Sequence, residues 1–598
     1  MTQHLRLSQY VITYGPSAIL EAPEGPRIIP RPDIGLFYPS SGLNPAEFVI
    51  SDQRMSQGLL AGAQIFRLPS NAELRLPQNR FIYRTRPFPS WSLCLNTRGH
   101  EGNFSILYQG RGCPVCGISG RRTQEAIRFI MACPEGHMDD VNWPYLVHRS
   151  SSGCEHRGWF RWYGGGGALS QIEIECPQCG QRVNLGRAYG QQWFCSGRFP
   201  ERESLGSPPV RPGCRQNARI IQRQASNLRI PELKTLFTIP PRYTRLHNLL
   251  QLPPIYSVLV AAGTLKSQNQ LQQMLVNLMR GNLVTRTVVN EILQYPWDEI
   301  QQAIQDVMTP VSTGYHDLIL EEFHALIDAS VNGIPPVRGP SRTSPVIIEV
   351  NPNLVRRFPG PSGRNFRVIP ILRLRSVTVQ IGYRREVDTQ NPANIVDVSF
   401  TDPGNPEQRW YPGVEFLGEG IFIMLEDNDG WHQELSGSAV DEWERAFSNP
   451  SSYPFHIFRS SHREELHPVF VWWHTLAHLL IRAISIEAGY SSASIRERIY
   501  LEIADKRVRG GILIYATQPG SEGTLGGLIA LVPYFGDFLD VALDMLRSCS
   551  GDPLCIGTHF KRGQYNGAAC YGCLLISETS CEHRNMWLDR HILKDNLP

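Results

Sequence analysis

The feature that most constrains this chain is a repeated spacing of its cysteines. Three pairs are separated by two residues, and they are Cys113/Cys116, Cys176/Cys179 and Cys570/Cys573. A tight turn brings both sulfurs of such a pair to one side of the chain, where they can bind the same ion. The spacing therefore predicts zinc sites, and a set of four thiolate ligands would leave no open coordination position for water.

The N-terminal cysteines are concentrated between residues 94 and 223, where nine of the fourteen fall. The first predicted ligand set suits a zinc ribbon or a short treble arrangement and consists of Cys113, Cys116, Cys133 and His137. Cys94 and His100 are alternates that could replace Cys133 or His137. The second predicted set consists of Cys176, Cys179, Cys195 and Cys214. Cys154 and His156 are left over, and we interpret them as a packing cysteine and a surface histidine.

A third set is predicted near the C-terminus from Cys555, Cys570, Cys573 and Cys581. Cys549 is the alternate to Cys555 in this set. We favour Cys555 because its shorter loop to Cys570 closes with less loss of entropy, although the difference is worth only about 0.3 kcal/mol. The cofactor predicted from these patterns is zinc, at two or three ions per chain.

The length and composition set the broad class of the protein. At 598 residues the chain is too long for one hydrophobic core, which predicts three to five domains. The first twenty residues lack an apolar leader, so we expect reduced thiols in the cytoplasm. We find no run of about 18 apolar residues and expect no membrane association. The net charge of +3 neither requires nor excludes nucleic acid.

Periodicity predicts a multidomain α+β fold with zinc-ribbon-like modules, a helical middle, a β-rich segment and a C-terminal α/β zinc-binding module. The predicted parts are residues 1–90 (strands and loops), 91–223 (cysteine-rich), 224–332 (helical), 345–430 (β-rich) and 431–598 (C-terminal module), with a Gly/Pro-rich linker at 333–344. Helices are predicted at 268–280, 287–293, 297–307, 316–329 and 469–488. Strands are predicted at 8–14, 367–375, 377–383, 414–417 and 421–425.

The β-rich segment carries a run of positive charge. Between residues 356 and 385 the sequence has eight arginines and no acidic residue: Arg356, Arg357, Arg364, Arg367, Arg373, Arg375, Arg384 and Arg385. Alternation with apolar residues predicts that Arg373 and Arg375 lie on one sheet face, where they could meet a nucleic-acid backbone. The alternative is a solvated face whose arginines pair with acids from elsewhere in the chain.

His474 and His478 are four residues apart on a predicted helix, so both imidazoles lie on one helix face. Such a pair can chelate a metal, but the residue after the first histidine is Thr475, where a zinc protease needs a glutamate. Apolar neighbours favour a hydrogen-bonded, buried histidine pair. The alternative is a metal-dependent hydrolase or nuclease that uses both histidines. The sequence has no Gly-x-x-x-x-Gly-Lys-Ser/Thr phosphate loop.

The C-terminal region from about His474 resembles the zinc-binding module that closes the MrfA-type DNA-repair helicases. The residues that carry this resemblance are His474-Thr-Leu-Ala-His478-Leu-Leu, Arg496-Glu-Arg-Ile-Tyr500, Leu513-Ile-Tyr515, Gly523-Thr-Leu-Gly-Gly-Leu528, Cys549, Cys555, Gly567-Ala-Ala-Cys570-x-x-Cys573, Glu578-Thr-Ser-Cys581 and Asn585-x-x-Leu-Asp-Arg590.

The whole chain resembles the DrmB subunits of the DISARM anti-phage systems. The matching residues are Ser8-Gln9, Gly15-Pro16, Cys133-Pro-Glu-Gly-His137-Met-Asp-Asp140, Ala225-Ser-Asn-Leu228 and Gly418-Glu-Gly-Ile-Phe422. The resemblance implies an accessory subunit that is not itself an enzyme and forms a heterodimer with a DrmA-like superfamily 2 helicase. It further implies that the complex engages phage DNA, with a DNA methyltransferase of the same system as another partner.

Overall fold

The structure is a computed structural model, and it describes most of the 598 residues. The described residues are all those outside 1–3, 38–40, 78–79, 111, 120–122, 150–152, 165–166, 205, 240–244, 251, 264, 266, 309–313, 335–347, 389–392, 403–404, 427–434, 448–466, 488–490, 492–493, 505–506 and 520–526. Most of the predicted linker at 333–344 lies outside the described residues.

The described strands and helices alternate along the chain without a simple repeat. The strands are β1 (Ile19–Ala22), β2 (Gly25–Ile28), β3 (Val49–Ile50), β4 (Gln64–Arg67), β5 (Arg86–Pro87), β6 (Trp91–Cys94), β7 (Ser105–Gln109), β8 (Gln124–Ala126), β9 (Phe129–Ala132), β10 (Met138–Asp140), β11 (Trp159–Tyr163), β12 (Glu173–Glu175), β13 (Arg182–Asn184), β14 (Trp193–Phe194), β15 (Asn217–Gln222), β16 (Ile230–Phe237), β17 (Glu349–Val350), β18 (Arg356–Pro359), β19 (Asn365–Arg384), β20 (Val396–Asp397), β21 (Phe400–Asp402), β22 (Asn405–Glu426), β23 (Arg496–Ala504) and β24 (Arg507–Pro519). The helices are α1 (Leu7–Ile12), α2 (Pro32–Gly35), α3 (Trp143–His148), α4 (Leu185–Tyr189), α5 (Arg245–Leu250), α6 (Pro253–Ala262), α7 (Gln268–Arg280), α8 (Arg286–Leu293), α9 (Trp297–Met308), α10 (Tyr315–Asn332), α11 (Ser438–Phe447), α12 (Pro468–Glu487), α13 (Phe535–Asp544) and α14 (Arg590–Asp595).

One large sheet of eleven strands organises the second half of the chain. Its central order is β16-β19-β22-β24-β23, and these neighbours are antiparallel. The two longest strands, β19 and β22, pair from Asn365 opposite Glu426 to Val379 opposite Gly413. Strand β4 from the N-terminal region adds in parallel to β22. The sheet therefore takes strands from four of the five parts that the sequence suggests.

Two smaller sheets build the cysteine-rich region. A six-stranded sheet has the order β13-β12-β11-β7-β6-β8, and a four-stranded sheet has the order β10-β9-β15-β14. Their strands are two to six residues long, so most of this region consists of turns. The shared core of these sheets includes Trp143, Phe160 and Ile174, each with no exposed surface. The α+β, multidomain fold class is thus confirmed.

The middle helices have a hydrophobic core of their own. Leu250, Leu259, Leu271, Ile292 and Ile300 from α5–α9 are buried together. In α7, for example, the buried Leu271, Leu275 and Leu278 are four and three residues apart and lie on one face, and such spacing explains why α7, α8 and α9 were predictable from the sequence. Helix α7 has the predicted bounds, and α8, α9 and α10 differ from the predicted bounds by one to three residues at their ends.

The structure corrects the strand predictions in three regions. Residues 8–14, predicted as a strand, overlap α1, in which the consecutive residues Tyr10 and Val11 are both buried. Consecutive burial is incompatible with the alternating faces of a strand at a sheet surface. The pairs of strands predicted within 367–383 and 414–425 are single strands, β19 and β22. Irregular pairing near Ile371 and Leu374 interrupts the alternation in β19 without ending the strand.

Helix α12 is the core helix of the C-terminal half. It packs on β23 and β24 and is contacted by α13 and α14. The segment Pro468–Ile486 has a mean hydropathy of 1.4, and by length and composition it could cross a membrane although its apolar residues are interrupted by polar ones. In the structure 83% of that segment is buried inside the protein, as expected of a helix that is apolar on all sides.

Helix α10 covers the other side of β23 through a buried ion pair. Glu322 has no exposed surface, and its Oε2 lies 2.8 Å from Nη1 of Arg498. Its Oε1 accepts a hydrogen bond of 2.8 Å from the backbone N–H of Phe237 at the end of β16. Arg498 also donates to Glu582 at 2.8 Å. One carboxylate therefore joins α10, β16 and β23.

We expect Glu322→Gln to destabilise the protein by about 3 kcal/mol, because it leaves the buried Arg498 guanidinium without one of its two carboxylates. A lowered midpoint of thermal unfolding would show this loss. The adjacent Glu321 offers a matched control, since it pairs with Arg54 with 28% of its side chain exposed. Glu321→Gln should cost less than about 1 kcal/mol. Equal thermal-unfolding midpoints for the two variants would contradict the inference that Glu322 stabilises the contact of α10 with β16 and β23.

Candidate metal centres

The metal-ligating side chains of the described residues come together in five clusters, within each of which the ligand atoms lie within 4.8 Å of one another. Cluster A is Cys94, His100, Cys113 and Cys116; cluster B is Cys133, His137, Cys195 and Cys214; cluster C is His148, Cys154, Cys176 and Cys179; cluster D is Cys549, Cys555, Cys570 and Cys573; cluster E is His474, His478, Glu497 and Cys581. All fourteen cysteines of the chain are free thiols, and each belongs to one cluster.

Cluster A forms at one end of the hairpin of β6 and β7. Cys94 ends β6, and its Sγ lies 3.7 Å from Sγ of Cys116 in the turn that follows β7. His100 Nδ1 lies 3.1 Å from the carbonyl oxygen of Phe104, which can only accept, so Nδ1 carries the proton. The lone pair of Nε2 then faces Sγ of Cys113 at 3.5 Å. An orienting hydrogen bond of this kind is typical of metal-bound histidine.

Cluster B joins two turns that are far apart in sequence. Cys133 and His137 flank the turn between β9 and β10, with Sγ 3.3 Å from Nδ1. Cys195 follows β14 and Cys214 precedes β15, and the pairing of β15 with β9 brings them to the first turn. Hydrogen bonding with the Cys195 thiol, and then with His137, lowers the pKa of Cys133, which favours the thiolate that binds zinc.

Gly136 is required for the turn in cluster B. Its φ is +84°, a conformation that residues with a side chain rarely adopt. A Cβ at this position would also lie 2.1 Å from Cγ2 of Val396, at the edge of the large sheet. The glycine of the Cys-Pro-Glu-Gly-His sequence therefore allows both the turn that forms cluster B and the close packing of that turn on the large sheet.

Cluster C forms at the ends of α3 and β12. His148 Nδ1 donates to the carbonyl of Pro144 at 2.9 Å, and its buried Nε2 has no hydrogen-bond partner among the described residues. The Sγ atoms of Cys154 and Cys176 are 3.8 Å apart. The backbone N–H of Gln181 lowers the pKa of Cys179, the exposed member of the cluster. A buried, unpartnered imidazole nitrogen beside three thiols is the donor set of a Cys3His zinc site.

Cluster D is the cysteine knuckle of the C-terminal region. The Sγ–Sγ distances are 3.3 Å for Cys549/Cys570, 3.7 Å for Cys555/Cys573 and 3.8 Å for Cys570/Cys573. Distances of about 3.8 Å are the edges of a tetrahedron with Zn–S bonds of about 2.3 Å. The buried Arg590 holds the loop before Cys555 through a 2.5 Å ion pair with Asp552.

Asp589 fixes the other side of this knuckle. Its Oδ1 accepts from the backbone N–H groups of Ala568 at 2.9 Å and His591 at 3.0 Å, so it caps α14 and holds the approach to Cys570. A Cβ at Gly567 would lie 2.5 Å from Cγ of Asp589. The Gly-Ala-Ala-Cys and Leu-Asp-Arg motifs therefore pack against each other and together hold Cys570 in place.

The structure groups the predicted ligands differently from the sequence analysis. Every residue of the three predicted sets lies in a cluster, but the first set is divided between clusters A and B, and the second between C and B. Cys154, interpreted as a packing residue, lies in cluster C, while His156 lies outside every cluster and contacts the carbonyl of Trp159. His148 carried no sequence signal that could have identified it.

The C-terminal set also differs. Cys549 and Cys555, treated as alternatives, are both in cluster D, and Cys581 lies in cluster E with His474 and His478. Neither histidine has any exposed surface, in agreement with the interpretation of a buried pair. A hydrolase that used this pair would need a metal ion within reach of water.

Most arginines of the predicted positive face have acidic partners, and all of these acids except Glu386 come from other segments of the chain. Ion pairs join Arg357 and Arg367 to Glu426, Arg373 to Glu349, Arg375 to Glu415, and Arg384 to Glu232 and Glu386. Arg385 is fully buried and donates to the carbonyls of Gly136 and Leu228. Arg356 donates to two neighbouring carbonyls, and Arg364 is exposed.

Arg373 and Arg375, predicted to share one sheet face, differ in exposure. The Arg373 side chain is 59% exposed and that of Arg375 is 5% exposed. The pairing of β19 with β22 is irregular between Ile371 and Leu374. The paired arrangement matches the alternative of a face neutralised by acids. Contact with DNA through these arginines stays a prediction.

Comparisons with known proteins agree with the resemblance seen in the sequence. Residues 6–230 match a family described as a domain of unknown function (DUF8724), and residues 476–574 match the MrfA Zn-binding domain. The chain is 27% identical over 541 residues to the DISARM protein DrmB of Bacillus paralicheniformis, which covers 85% of this chain and 88% of that protein. The predicted relationship to DrmB and the C-terminal MrfA-type module are confirmed.

Among solved structures, one similarity is to the crystal structure of the DUF1998 helicase MrfA bound to DNA. It has a TM-score of 0.17 at 8% identity and covers 34% of this chain and 22% of that one.

We expect Cys154→Ser to lower the zinc content of the purified protein by one ion per chain, because it removes one of the three thiols of cluster C. Elemental analysis by mass spectrometry, normalised to protein concentration, measures this directly. His156→Gln is the matched control, since His156 is two residues away and outside the cluster. A folded Cys154→Ser protein with unchanged zinc content would contradict the grouping.

Proposed function

We propose that this protein is a zinc-stabilised accessory subunit of a DISARM-type antiviral system, which pairs with a superfamily 2 helicase and acts on phage DNA through that complex. The observation that carries the proposal is the similarity to a DISARM protein along most of the chain, together with the MrfA-type module at its C-terminal end. The chemistry of the clusters and the absence of a phosphate loop from the sequence support it from independent directions.

The clusters suit a structural use of zinc. Clusters A to D each offer four protein ligands, which would leave no coordination position for a substrate or a water. Strands as short as those of the cysteine-rich region bury too little apolar surface to be stable alone. Zinc binding contributes roughly 10–16 kcal/mol in small zinc modules, enough to hold such turns together. In this proposal zinc shapes a surface rather than performing a reaction.

A partner would supply the motor activity. The sequence contains no Gly-x-x-x-x-Gly-Lys-Ser/Thr motif for binding nucleoside triphosphate. A defence complex that moves along DNA needs such a site, so we assign it to the helicase subunit. The reduced state required of fourteen metal-ligating thiols fits the cytoplasm, where phage DNA is encountered. The DNA methyltransferase of the same system is a further partner in this proposal.

We expect the chain to form a stable heterodimer with the helicase encoded beside it. Co-expression with an affinity tag on this chain alone should recover the helicase at a 1:1 ratio, and the pair should migrate as one species in size-exclusion chromatography with light scattering. An unrelated superfamily 2 helicase expressed in the same way is the control. Separate migration of the two proteins at micromolar concentration would contradict the proposed pairing.

A further inference from the structure

We propose that cluster E is a fifth zinc site, with His474, His478, Glu497 and Cys581 as its ligands. It differs from the zinc knuckle of the matched MrfA Zn-binding domain. Cluster D supplies four cysteines that all lie within residues 476–574, whereas His474 and Cys581 of cluster E lie outside that range. The two clusters share no ligand, so cluster E would hold an additional ion.

The four ligand atoms converge on one point in the core. His474 Nε2 lies 2.7 Å from Glu497 Oε1 and 3.2 Å from Cys581 Sγ. His478 Nε2 lies 3.2 Å from the same carboxylate oxygen. Three of the four residues have no exposed surface, and Cys581 is 5% exposed. Four metal-ligating groups of three chemical types thus meet in a space closed to water.

Hydrogen bonds from outside the cluster orient the lone pairs inward. His478 Nδ1 lies 2.8 Å from the carbonyl oxygen of Leu574 and donates to it, which leaves Nε2 facing Glu497 as the nitrogen that a metal would bind. Cys581 Sγ accepts from the backbone N–H groups of His583 at 3.3 Å and Asn585 at 3.2 Å, as a thiolate would. The Nε2 of His478, the Glu497 carboxylate and the Cys581 sulfur therefore face one another, as the ligands of one metal ion would.

Two buried atoms in the cluster have no partner among the described residues. They are Nδ1 of His474 and Oε2 of Glu497. A buried carboxylate with one free oxygen is costly unless a cation neutralises it. Zinc accepts imidazole nitrogen, carboxylate oxygen and thiolate sulfur together in a tetrahedral site, which matches this mixed donor set.

The site would join the two layers that meet at β23. Side chains of successive strand residues point to opposite faces of a sheet. Glu497 accordingly faces the histidines of α12, and Arg498 faces Glu322 of α10. The loop that precedes α14 adds Cys581 to the first face and Glu582 to the second. A metal at cluster E would therefore fix α12 and the C-terminal loop on β23 as a closed structural centre.

The test is the metal content of the full-length chain. Glu497→Gln replaces the carboxylate with a weaker amide ligand of the same shape, and we expect it to lose one zinc ion per chain relative to the unmodified protein. Cys573→Ser in cluster D should lose one ion as well, and the double variant two. His583→Gln is the matched control, because this histidine lies outside the cluster with its ring 5.3 Å from that of His474. A folded Glu497→Gln chain with unchanged metal content overturns the proposal.

A measurement on the unmodified chain covers the case in which the variant does not fold. Anomalous diffraction collected on either side of the zinc absorption edge should give a peak between His474 and Glu497, in addition to peaks at the other clusters. Peaks at clusters A to D without one at cluster E would mean that a proton joins these side chains, and the proposal would be wrong. This outcome would leave the accessory role intact, whereas failure to bind the helicase would leave the metal site intact.

Discussion

Helix α12 is buried along most of its length, including every residue from Pro468 to Ile481, so the polar groups in that stretch need partners from other segments. Arg482 donates to the carbonyls of Tyr571, Gly572 and Leu575, which form the turn of the cluster D knuckle. Thr475 accepts from the backbone N–H of Asp589 at 3.0 Å. An apolar helix alone could bind the sheet in several positions. These polar contacts select one position, and through it they place the knuckle and the C-terminal helix.

In the cysteine-rich region, the side-chain clusters rather than a buried helix hold the elements in one arrangement. Its strands are too short to define their own register, and the metal clusters lie at the turns where those strands begin or end. Cluster B also touches the large sheet, because Arg385 of the segment after β19 donates to the carbonyl of Gly136 inside the Cys133–His137 turn. The folding of the cysteine-rich region and its attachment to the sheet are therefore coupled. Loss of metal at cluster B should loosen both.

The sequence was sufficient for features that depend on neighbouring residues. The helical spacing of Leu318, Phe323 and Leu326 correctly predicted the buried face of α10. Cysteine spacing found every residue of clusters A, B and D, counting the alternates. It could not assign them to clusters, because that depends on which strands pair. Cys133 and Cys195 are neighbours only because β9 pairs with β15, and the ligands of cluster C lie between them in sequence.

The charge pairing of the arginine segment, residues 356–385, also depends on which strands pair and could not be predicted from the sequence. Eight arginines with no acid among them predict a positive surface if charges are counted along the chain. The acids that neutralise them, such as Glu349, Glu415 and Glu426, come from other strands of the sheet. The antiparallel pairing of β22 with β19 places Glu426 opposite Asn365 and Glu415 opposite Val377, each two positions along the strand from the arginine it pairs with, Arg367 or Arg375. These charges stabilise the register of the sheet. A DNA contact in the complex would thus have to compete with pairs that the fold itself uses.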